Sequence, residues 1–330
     1  MTMLRPTYSI SLGGDTISSD TLRGLVALDV ERAKNAGADR AVVALGRIPD
    51  VSPSEGDPAA IELGWDGDNA VVFTGEVEAV DRGVLGLEVT CAGTQALLHR
   101  ARGDRTFVDQ TAGDVFSALA SDAGADTDTV EDGIRLPVYL ADSSRSALGH
   151  CLALARRCGF DLYATPDGAL VFASFAPSAP DVTFRYGVDV ISASVERTVP
   201  PDGVTVVPES PASGQGDDTS SWLVKDPSSY AGQSGGSPGA SVSDPVLRTR
   251  DAADSAALAR TDGWARAAVN GRLQATGNTD VALGGTVQVD GMADDALNDR
   301  YQVMAVRHVL DRARGFRTLV ALGGLPGGGP

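Results

Sequence analysis

Two stretches of the chain decide its fold: FTGEVEAVDRGVLGLEVT at 73–90 and RYQVMAVRHVLDRARGFRTLVAL at 300–322. Each contains a Val-x-x-Val pattern followed by an Asp-Arg pair and a glycine, and each ends in a run that alternates apolar and polar residues. Alternation on both sides of a short Gly-containing loop predicts a β-hairpin. Their similarity indicates either an internal duplication or two unrelated hairpins of the same general kind.

Strand signals surround these hairpins in both halves of the chain. TYSISL (7–12) has the alternation of a half-buried strand, and AVVALG (41–46) has the composition of a buried one. Similar signals return at 181–199 and after Gly271. Both ends of the sequence are therefore predicted to be mainly β.

The middle of the chain has a different pattern. Helical spacing of apolar residues predicts helices at 94–103, 111–124 and 143–159, and a hairpin at 160–175 follows them. We therefore expect 93–175 to form a small α/β insert.

Capping signals mark where two of the helices begin. Thr111 is predicted to be the N-cap of the second helix of the insert. A further helix is predicted at 250–271, with Asp251 or Asp254 as its cap and Gly271 after its last residues.

The stretch at about 200–248 is rich in Gly, Ser, Pro and Asp and fits no periodic pattern. Such composition predicts a long loop or an ordered excursion against a partner. The large side chains of Trp222, Leu223 and Tyr230 favour contact with a partner.

Together these patterns predict an α+β, mainly β fold with two β domains and a small α/β insert. The first β domain is placed at 1–92 and the insert at 93–175. The second β domain is placed at 176–330, including the long Gly/Ser/Pro-rich loop at about 200–248.

The charge balance excludes one class of function. The 330 residues contain 27 Lys and Arg against 44 Asp and Glu, giving a net charge of -17, and Lys34 and Lys225 are the two lysines. Sequence-specific binding to nucleic acid requires a basic footprint that this chain lacks. An acidic, lysine-poor composition is typical of proteins from salt-saturated cytoplasms, but a high-GC genome also replaces Lys with Arg, and both explanations stay open.

Membrane insertion and export are also not expected. No apolar run approaches the ~18 residues of a membrane span, and the start MTMLRPTYSI lacks the apolar run of a signal peptide. The cysteines Cys91, Cys151 and Cys158 do not form a disulfide pattern, and we expect buried thiols in a reducing compartment.

No catalytic, cofactor or metal site is predicted. His99, His150 and His308 are far apart and lie in no zinc or protease motif. His150 and Cys151 are adjacent on a predicted helix, so they point about 100° apart, and we expect a surface histidine beside a core cysteine. For His308 we expect a hydrogen bond near one end of its β domain.

The acidic pairs Asp217-Asp218 and Asp294-Asp295 lack calcium-loop spacing. We expect them to be part of a solvated surface.

Several spaced motifs carry a resemblance to a known family. They are P-x-Y-x-I (6–10), F-x-G-x-V-x-x-V (73–80), T-x-x-D-V (111–115), D-A-A-x-x-A-A-L-A (251–259), Gly284-Gly285 before V-x-V, L-N-x-x-Y-x-V-x-x-V-x-H (297–308) and G-x-x-T-x-x-x-L (315–322). The chain resembles the baseplate hub family: the late control protein D of contractile phages, and the hub region of spike proteins in type VI secretion and extracellular contractile injection systems. It departs from the family at Asp299-Arg300, where many relatives carry a Gly before the Tyr.

The resemblance implies a non-enzymatic structural protein with no cofactor, in which the β domains at 1–92 and 176–330 are two tube-like β-barrel domains. Members of the family form trimers with two tube-like barrels per chain, so that six similar barrels adapt a hexameric tail tube to a three-fold spike. No spike domain follows Gly323, so the spike would be a separate protein. The other implied partners are further baseplate proteins.

The particle would be assembled in the cytoplasm and belong to a virion or to an extracellular or cytoplasmic contractile particle. The structural and assembly positions implied by the motifs are Phe73, Gly75, Val77, Val80, Tyr301, Val303, Val306, His308, Gly315 and Thr318.

Three other interpretations stay open at this point. The chain could be the hub or tail-tip protein of a non-contractile phage tail. A glycan hydrolase on a β scaffold and a carbohydrate-binding adhesin of a tail tip are the alternatives from other classes, because an acidic chain offers many carboxylates for glycoside chemistry.

Overall fold

A computed structural model describes residues 4–20, 24–46, 51–208, 230–236 and 239–326. The described residues are mainly β, with 21 strands and four α-helices, which confirms the predicted class. No helix in these ranges is both long and apolar enough to cross a membrane.

The first half of the chain is built from seven strands. They are β1 (Pro6–Leu12), β2 (Asp15–Ser18), β3 (Leu25–Ala33), β4 (Arg40–Gly46), β5 (Pro58–Trp65), β6 (Asp68–Arg82) and β7 (Gly86–Gly93).

The insert follows β7 and mixes helices with short strands. Its elements are α1 (Gln95–Arg100), β8 (Arg105–Thr111), α2 (Ala112–Asp122), β9 (Thr127–Val130), β10 (Arg135–Ala141), α3 (Ala147–Cys158), β11 (Phe160–Ala164) and β12 (Leu170–Ser174). Thr111 caps α2 as predicted: its hydroxyl accepts a hydrogen bond from Asp114 N–H, and the Asp114 carboxylate accepts one from Thr111 N–H.

The last part of the chain returns to β structure around one long helix. Its elements are β13 (Val182–Arg185), β14 (Val190–Arg197), β15 (Gly203–Val207), β16 (Gly232–Gly235), β17 (Ala240–Ser243), α4 (Arg250–Ala267), β18 (Val269–Thr276), β19 (Thr286–Asp290), β20 (Arg300–Asp311) and β21 (Gly315–Gly323).

Strands from both halves join in one sheet of 13 strands. Its main order is β14-β18-β21-β20-β3-β4-β7-β6-β5-β1-β2, and β19 and β13 branch from β20. The sequence predicts two β domains, and in the structure the edge of β3 in the first pairs with β20 in the second, so that strands of both belong to one sheet.

The continuous sheet has two hydrophobic cores. One lies in the first half and includes Ile10, Ile61 and Phe73, and the other includes Phe184, Leu273 and Tyr301. A third core joins the insert to residues after β14, among them Val204, Val206, Leu247 and Ala257.

The stretch predicted to be a long loop at about 200–248 contains three strands in its described residues. β15 pairs with β16 and β17, and β15 and β16 pack on α4. β16 and β17 consist of Gly, Gln, Ser, Ala and Val without a strong apolar alternation, so pairing with β15 produces strands that the local sequence does not signal. Trp222 and Leu223 lie outside the described residues.

The predicted ends of α4 were wrong. Thr249 is the N-cap, because its hydroxyl accepts a hydrogen bond from Ala252 N–H, and Asp251 lies in the first turn instead. The helix ends at Ala267, and Gly271 belongs to the following strand, β18.

Candidate assembly site

The hairpins at 73–90 and 300–322 share an irregularity in their strand pairing. In the first, Val77 pairs with Cys91 and Ala79 with Thr90, so that Glu78 is the extra residue of a β-bulge. In the second, Val303 pairs with Leu322 and Ala305 with Ala321, so that Met304 is the extra residue. The bulge therefore directly follows the first Val of each Val-x-x-Val motif.

The hairpins belong to two five-stranded units of the same topology. The order is β5-β6-β7-β4-β3 in the first unit and β19-β20-β21-β18-β14 in the second, with every neighbouring pair antiparallel. A second bulge also repeats, at Val26 in β3 and at Ile191 in β14. Bulges are specific local features, so two matched pairs favour internal duplication over unrelated hairpins.

A backbone contact repeats in the same place. The N–H of Val77 donates to the carbonyl of Asp57 at 2.8 Å, and the N–H of Val303 donates to the carbonyl of Gly285 at 3.0 Å. The excursions between the strands differ: a short turn links β3 to β4, whereas residues 198–268 lie between β14 and β18. This second excursion packs on the insert in the third core.

The two units meet where β20 pairs with β3. The register runs from Ala305 opposite Ala33 to Asp311 opposite Ala27. The tip of the second hairpin supplies Leu310 and Phe316 to the first core. On the more exposed face Arg307 lies opposite Glu31 and makes a two-pronged ion pair with Asp29.

A buried polar cluster fastens this junction to the insert. The Nζ atom of Lys34, just after β3, lies 2.8 Å from Oδ2 of Asp161 on β11. Gln302 of β20 donates to the same oxygen at 3.0 Å, and Asn35 donates to Oδ1 of Asp161 at 3.3 Å. Burial lowers the pKa of Lys34, while the charge and hydrogen bond of Asp161 act in the opposite direction.

A second buried ion pair lies beside the first. Arg32 Nε lies 3.2 Å from Oδ2 of Asp39, and Arg32 also donates to the carbonyl of Ala164 in the insert at 2.5 Å. Burial raises the pKa of Asp39, and the positive charge of Arg32 opposes that rise. Arg266 of α4 approaches Asp161 at 3.6 Å, so the first unit, the second unit, the insert and the 198–268 excursion all contribute to one region.

Most of the positions implied by the family motifs lie in the two cores. Phe73 and Val77 are buried in the first core, where Val80 is half-buried. The buried positions of the second core are Tyr301, Val303 and Val306. The side chains are thus separated into two cores instead of forming one site.

His308 and Thr318 form a buried pair across the second hairpin. His308 Nδ1 lies 3.0 Å from the Thr318 hydroxyl, which also contacts the backbone of Asn278. Burial lowers the pKa of His308 to about 3, so the ring is neutral near pH 7. The predicted hydrogen bond of His308 is therefore confirmed.

The two glycines of the motif set have separate backbone reasons. A Cβ on Gly75 would lie 2.1 Å from the carbonyl oxygen of Ala92 in the paired strand. Gly315 has a φ of +70°, which side-chain-bearing residues rarely adopt, and it begins β21 directly after the turn.

The neighbouring His150 and Cys151 do not form a nucleophile–base pair. His150 is buried and not on the helix surface as predicted, because Tyr139 and the carbonyl of Asp142 each contact one ring nitrogen, at 2.9 and 3.0 Å. Burial raises the pKa of Cys151 to about 12, which leaves the thiol protonated.

The acidic pairs give no metal site within the described ranges. No group of three or more His, Cys, Asp or Glu side chains there could hold an ion. Asp294 instead caps a 3-10 turn, Asp295–Leu297, and Asp217-Asp218 lie outside the described residues.

Sequence reasoning missed the buried polar cluster. Lys34 and Asp161 are 127 residues apart, and no local motif joins them. The one available signal was composition, because Lys34 is one of the two lysines in the chain.

Comparison with known proteins first defines the class of fold. No protein-family model matches the chain, and no curated protein matches it either. Solved structures do match, among them tail proteins and a component of a type VI secretion system. The fold is therefore shared with these proteins, which confirms the resemblance found in the sequence at the level of the fold.

Three structures illustrate this similarity. The 43 kDa tail protein of prophage MuSo2 from Shewanella oneidensis has a TM-score of 0.70 at 14% identity, over 96% of this chain and 98% of that one. A tail protein from Neisseria meningitidis MC58 has a TM-score of 0.69 at 16% identity, over 97% and 96%. An E. coli type VI secretion component, described as similar to the T4 tail proteins gp27 and gp5, has a TM-score of 0.63 at 11% identity, over 94% and 76%.

Proposed function

We propose that this chain is the baseplate hub of a contractile tail-like particle, an injection system or a myophage, and that it works as a homotrimer. The observation that carries the proposal is the five-stranded unit that occurs twice, with both bulges repeated. Three chains with two such units each present six similar units in a ring. A hexameric tail tube can stack on such a ring, while a three-fold spike binds its other side.

The buried polar cluster supports the same role. A ring element that bears mechanical load has to hold its two units at a fixed angle. Lys34, Asp161 and Gln302 do this by joining the strand junction to the insert through charge-assisted hydrogen bonds. The division of the chain into a first β-barrel domain at 1–92, an insert at 93–175 and a second β-barrel domain at 176–330 is part of the proposal.

The acidity of the chain has a consequence in this assembly. Three chains at -17 carry a formal charge of -51. A passage lined by such subunits repels nucleic acid and acidic proteins, so cargo of either kind would pass without adhering. The spike, the tube protein and the other baseplate proteins are proposed to be separate partners.

The mass of the protein in solution tests the proposal. Sedimentation analysis over a range of concentrations should give a species of about 102 kDa, three chains of 33.9 kDa. Electron microscopy of the purified trimer with its tube protein should show the ring capping one end of a six-fold tube. A chain that is monomeric at every concentration, and absent from the tube end, would contradict the proposal.

A structural role is proposed in place of the enzymatic one. The solved structures of the same fold are described as tail proteins and as a secretion-system component. A cell-wall digestion assay separates the classes, since release of soluble glycan fragments by the purified chain would favour the hydrolase. Particles that carry the chain and contract on triggering would separate the contractile hub from the hub of a non-contractile tail.

A further inference from the structure

The junction of the two units inside the chain has a defined construction. The second half of β20 lies antiparallel to β3, and the backbone N–H of Lys34 extends the pairing by donating to the Met304 carbonyl at 3.0 Å. The hairpin tip beyond this pairing buries Leu310 in the first core. The junction thus consists of a strand edge, a partner strand and an apolar tip.

The duplication places the same three parts at the free ends of the sheet. Among the described strands, β14, which corresponds to β3, is the last of the sheet and pairs on one side with β18. The second half of β6, which corresponds to the half of β20 that meets β3, pairs with β7 alone after Glu76 among the described strands. One chain therefore presents both halves of a second junction, each without its partner strand.

Apolar side chains are exposed at both of these edges. Val84 and Leu85, at the tip of the first hairpin, are 90% and 89% exposed, whereas Leu310 near the tip of the second hairpin is 7% exposed. Ile191, the bulged residue of β14, is 54% exposed, and Tyr186 and Val188 just before this strand are exposed as well. Large apolar side chains concentrated at open strand edges mark an interaction surface.

The half-buried side chains of β14 are less completely packed than the corresponding side chains of β3. Ala193 and Val195 pack against the second core from its rim, and the corresponding residues of β3, Leu28 and Val30, are fully buried under the β20 hairpin. A strand placed against β14 would complete the second core in the same way.

We infer that β14 of one copy pairs antiparallel with the free half of β6 in a second copy, in the register that β3 and β20 use within the chain. This register puts Val80 opposite Arg197 and Asp81 opposite Glu196, and it brings the Val84 and Leu85 tip onto the rim of the second core. The contact is head-to-tail, and it closes after three copies if the rotation between units inside the chain is repeated between chains. The inference rests on the proposed trimeric ring and identifies the surfaces that form it.

The charges at the two junctions differ, and this difference predicts a salt dependence. Inside the chain Arg307 lies opposite Glu31, which is attractive. Between chains the same positions hold Asp81 and Glu196, two carboxylates on exposed positions that repel each other. Screening by salt weakens this repulsion and that of two chains at -17 each, so assembly should strengthen as salt is added.

Charge reversal at Asp81 provides the sharpest test. Asp81→Arg reproduces the attractive pair of the internal junction, so the concentration at which the ring dissociates should fall at least tenfold at low salt and show a smaller salt dependence. Leu85→Asp places a charge in the apolar tip and should raise that concentration at least tenfold. Val108→Asp, at an exposed apolar residue of the insert, is the matched control and should leave assembly unchanged.

Cross-linking tests the register itself. The double variant Asp81→Cys and Glu196→Cys should form disulfides between chains on mild oxidation, giving a covalent trimer on a non-reducing gel. Moving the second cysteine to Ser192 shifts it four residues, roughly 13 Å along the strand, and should abolish the product.

The outcomes separate this inference from the proposed function. A trimer that forms normally in the Leu85→Asp variant, and that does not cross-link through positions 81 and 196, would overturn the inference and leave the trimeric hub standing. A wild-type chain that stays monomeric at every salt and protein concentration would overturn both.

Discussion

The ammonium group of Lys34 and the carboxylate of Asp161 are in direct contact at 2.8 Å, and both side chains are buried. Lys34 follows the last residue of β3, and Asp161 is the second residue of β11 in the insert. The pair therefore joins the strand junction to a separate layer of the molecule. Gln302 contacts the same carboxylate from β20, so both units of the duplicated fold depend on one acidic residue.

Removing one partner of this pair should destabilise the fold strongly. Lys34→Met leaves the Asp161 charge buried with weaker partners, and breaking a buried pair in this way costs about 3–5 kcal/mol. Urea denaturation should show this loss in the free energy of unfolding. The double variant Lys34→Met and Asp161→Leu should lose less than the sum of the two single variants.

The exposed ion pair of Arg135 and Asp109 is the matched control. Both side chains are in solvent, so Arg135→Met should leave the unfolding curve almost unchanged. Equal losses in the Lys34 and Arg135 variants would contradict a special role for the buried pair.

The N-caps of α2 and α4 show how much of a helix start can be predicted from the local sequence. Thr111 could be predicted because a single hydroxyl residue precedes an apolar helical pattern, and the structure confirms it. At α4 the residues Thr249, Asp251 and Asp254 all suit a helix start, and the local sequence does not decide among them. In the structure Thr249 has the extended backbone of an N-cap, and its hydroxyl accepts the hydrogen bond from Ala252 N–H.

Bulges and the pairing of strands far apart in the chain could not be predicted from the sequence. The alternation in the two hairpins predicts strands, but it does not predict the bulges at Glu78 and Met304, because a bulge depends on the partner strand. The pairing of β3 with β20 joins segments almost a whole chain apart, and periodicity does not identify the partners of an edge strand. The sequence therefore predicts two β domains, but it does not predict that their strands pair with each other in one sheet.

Phe316 should stabilise the first half of the chain as much as it stabilises its own hairpin. Its ring packs 5.6 Å from that of Trp65, in the core of the first unit. Phe316→Ala should cost about 3–5 kcal/mol of folding free energy, because a cavity opens between the units. Near-UV circular dichroism, to which Trp65 contributes, and far-UV signals should still change in one transition.

Leu258→Ala is a suitable comparison for this variant, because Leu258 is an exposed apolar residue of α4. It should change stability little. Two separate transitions in Phe316→Ala, with Trp65 unaffected in the first, would show that the units unfold independently and that the shared core has little energetic weight.

Gly75 should tolerate no side chain. The Cβ of an alanine would lie 2.1 Å from the Ala92 carbonyl oxygen. The two strands that carry these atoms are paired, and they cannot separate without breaking the hydrogen bonds between β6 and β7. We expect Gly75→Ala to lose about 3 kcal/mol or more of stability. Thermal unfolding should report this loss directly.

Gly14→Ala gives the control, because a Cβ at this turn position meets no atom within 4 Å. That variant should unfold near the wild-type temperature. A Gly75→Ala protein with the same midpoint would mean that the strands can move apart at little cost.

His308 should make stability depend on pH in a defined window. The ring is buried with its pKa lowered to about 3, whereas in the unfolded chain it titrates near 6.5. The unfolded state therefore binds a proton that the folded state does not as the pH falls below 6.5, and this favours unfolding. Stability from this group is fully present above pH 6.5 and is lost by about 1.4 kcal/mol per pH unit down to about pH 3.

Comparison with His308→Gln isolates this contribution from that of the many carboxylates. Glutamine does not titrate, so urea unfolding between pH 6.5 and 4 should give a shallower pH slope in the variant than in the wild type. His99→Gln removes an exposed histidine and should keep the wild-type slope. Identical slopes in all three proteins would mean that the His308 ring accepts its proton inside the folded core, and that the Thr318 hydroxyl does not depend on a neutral partner.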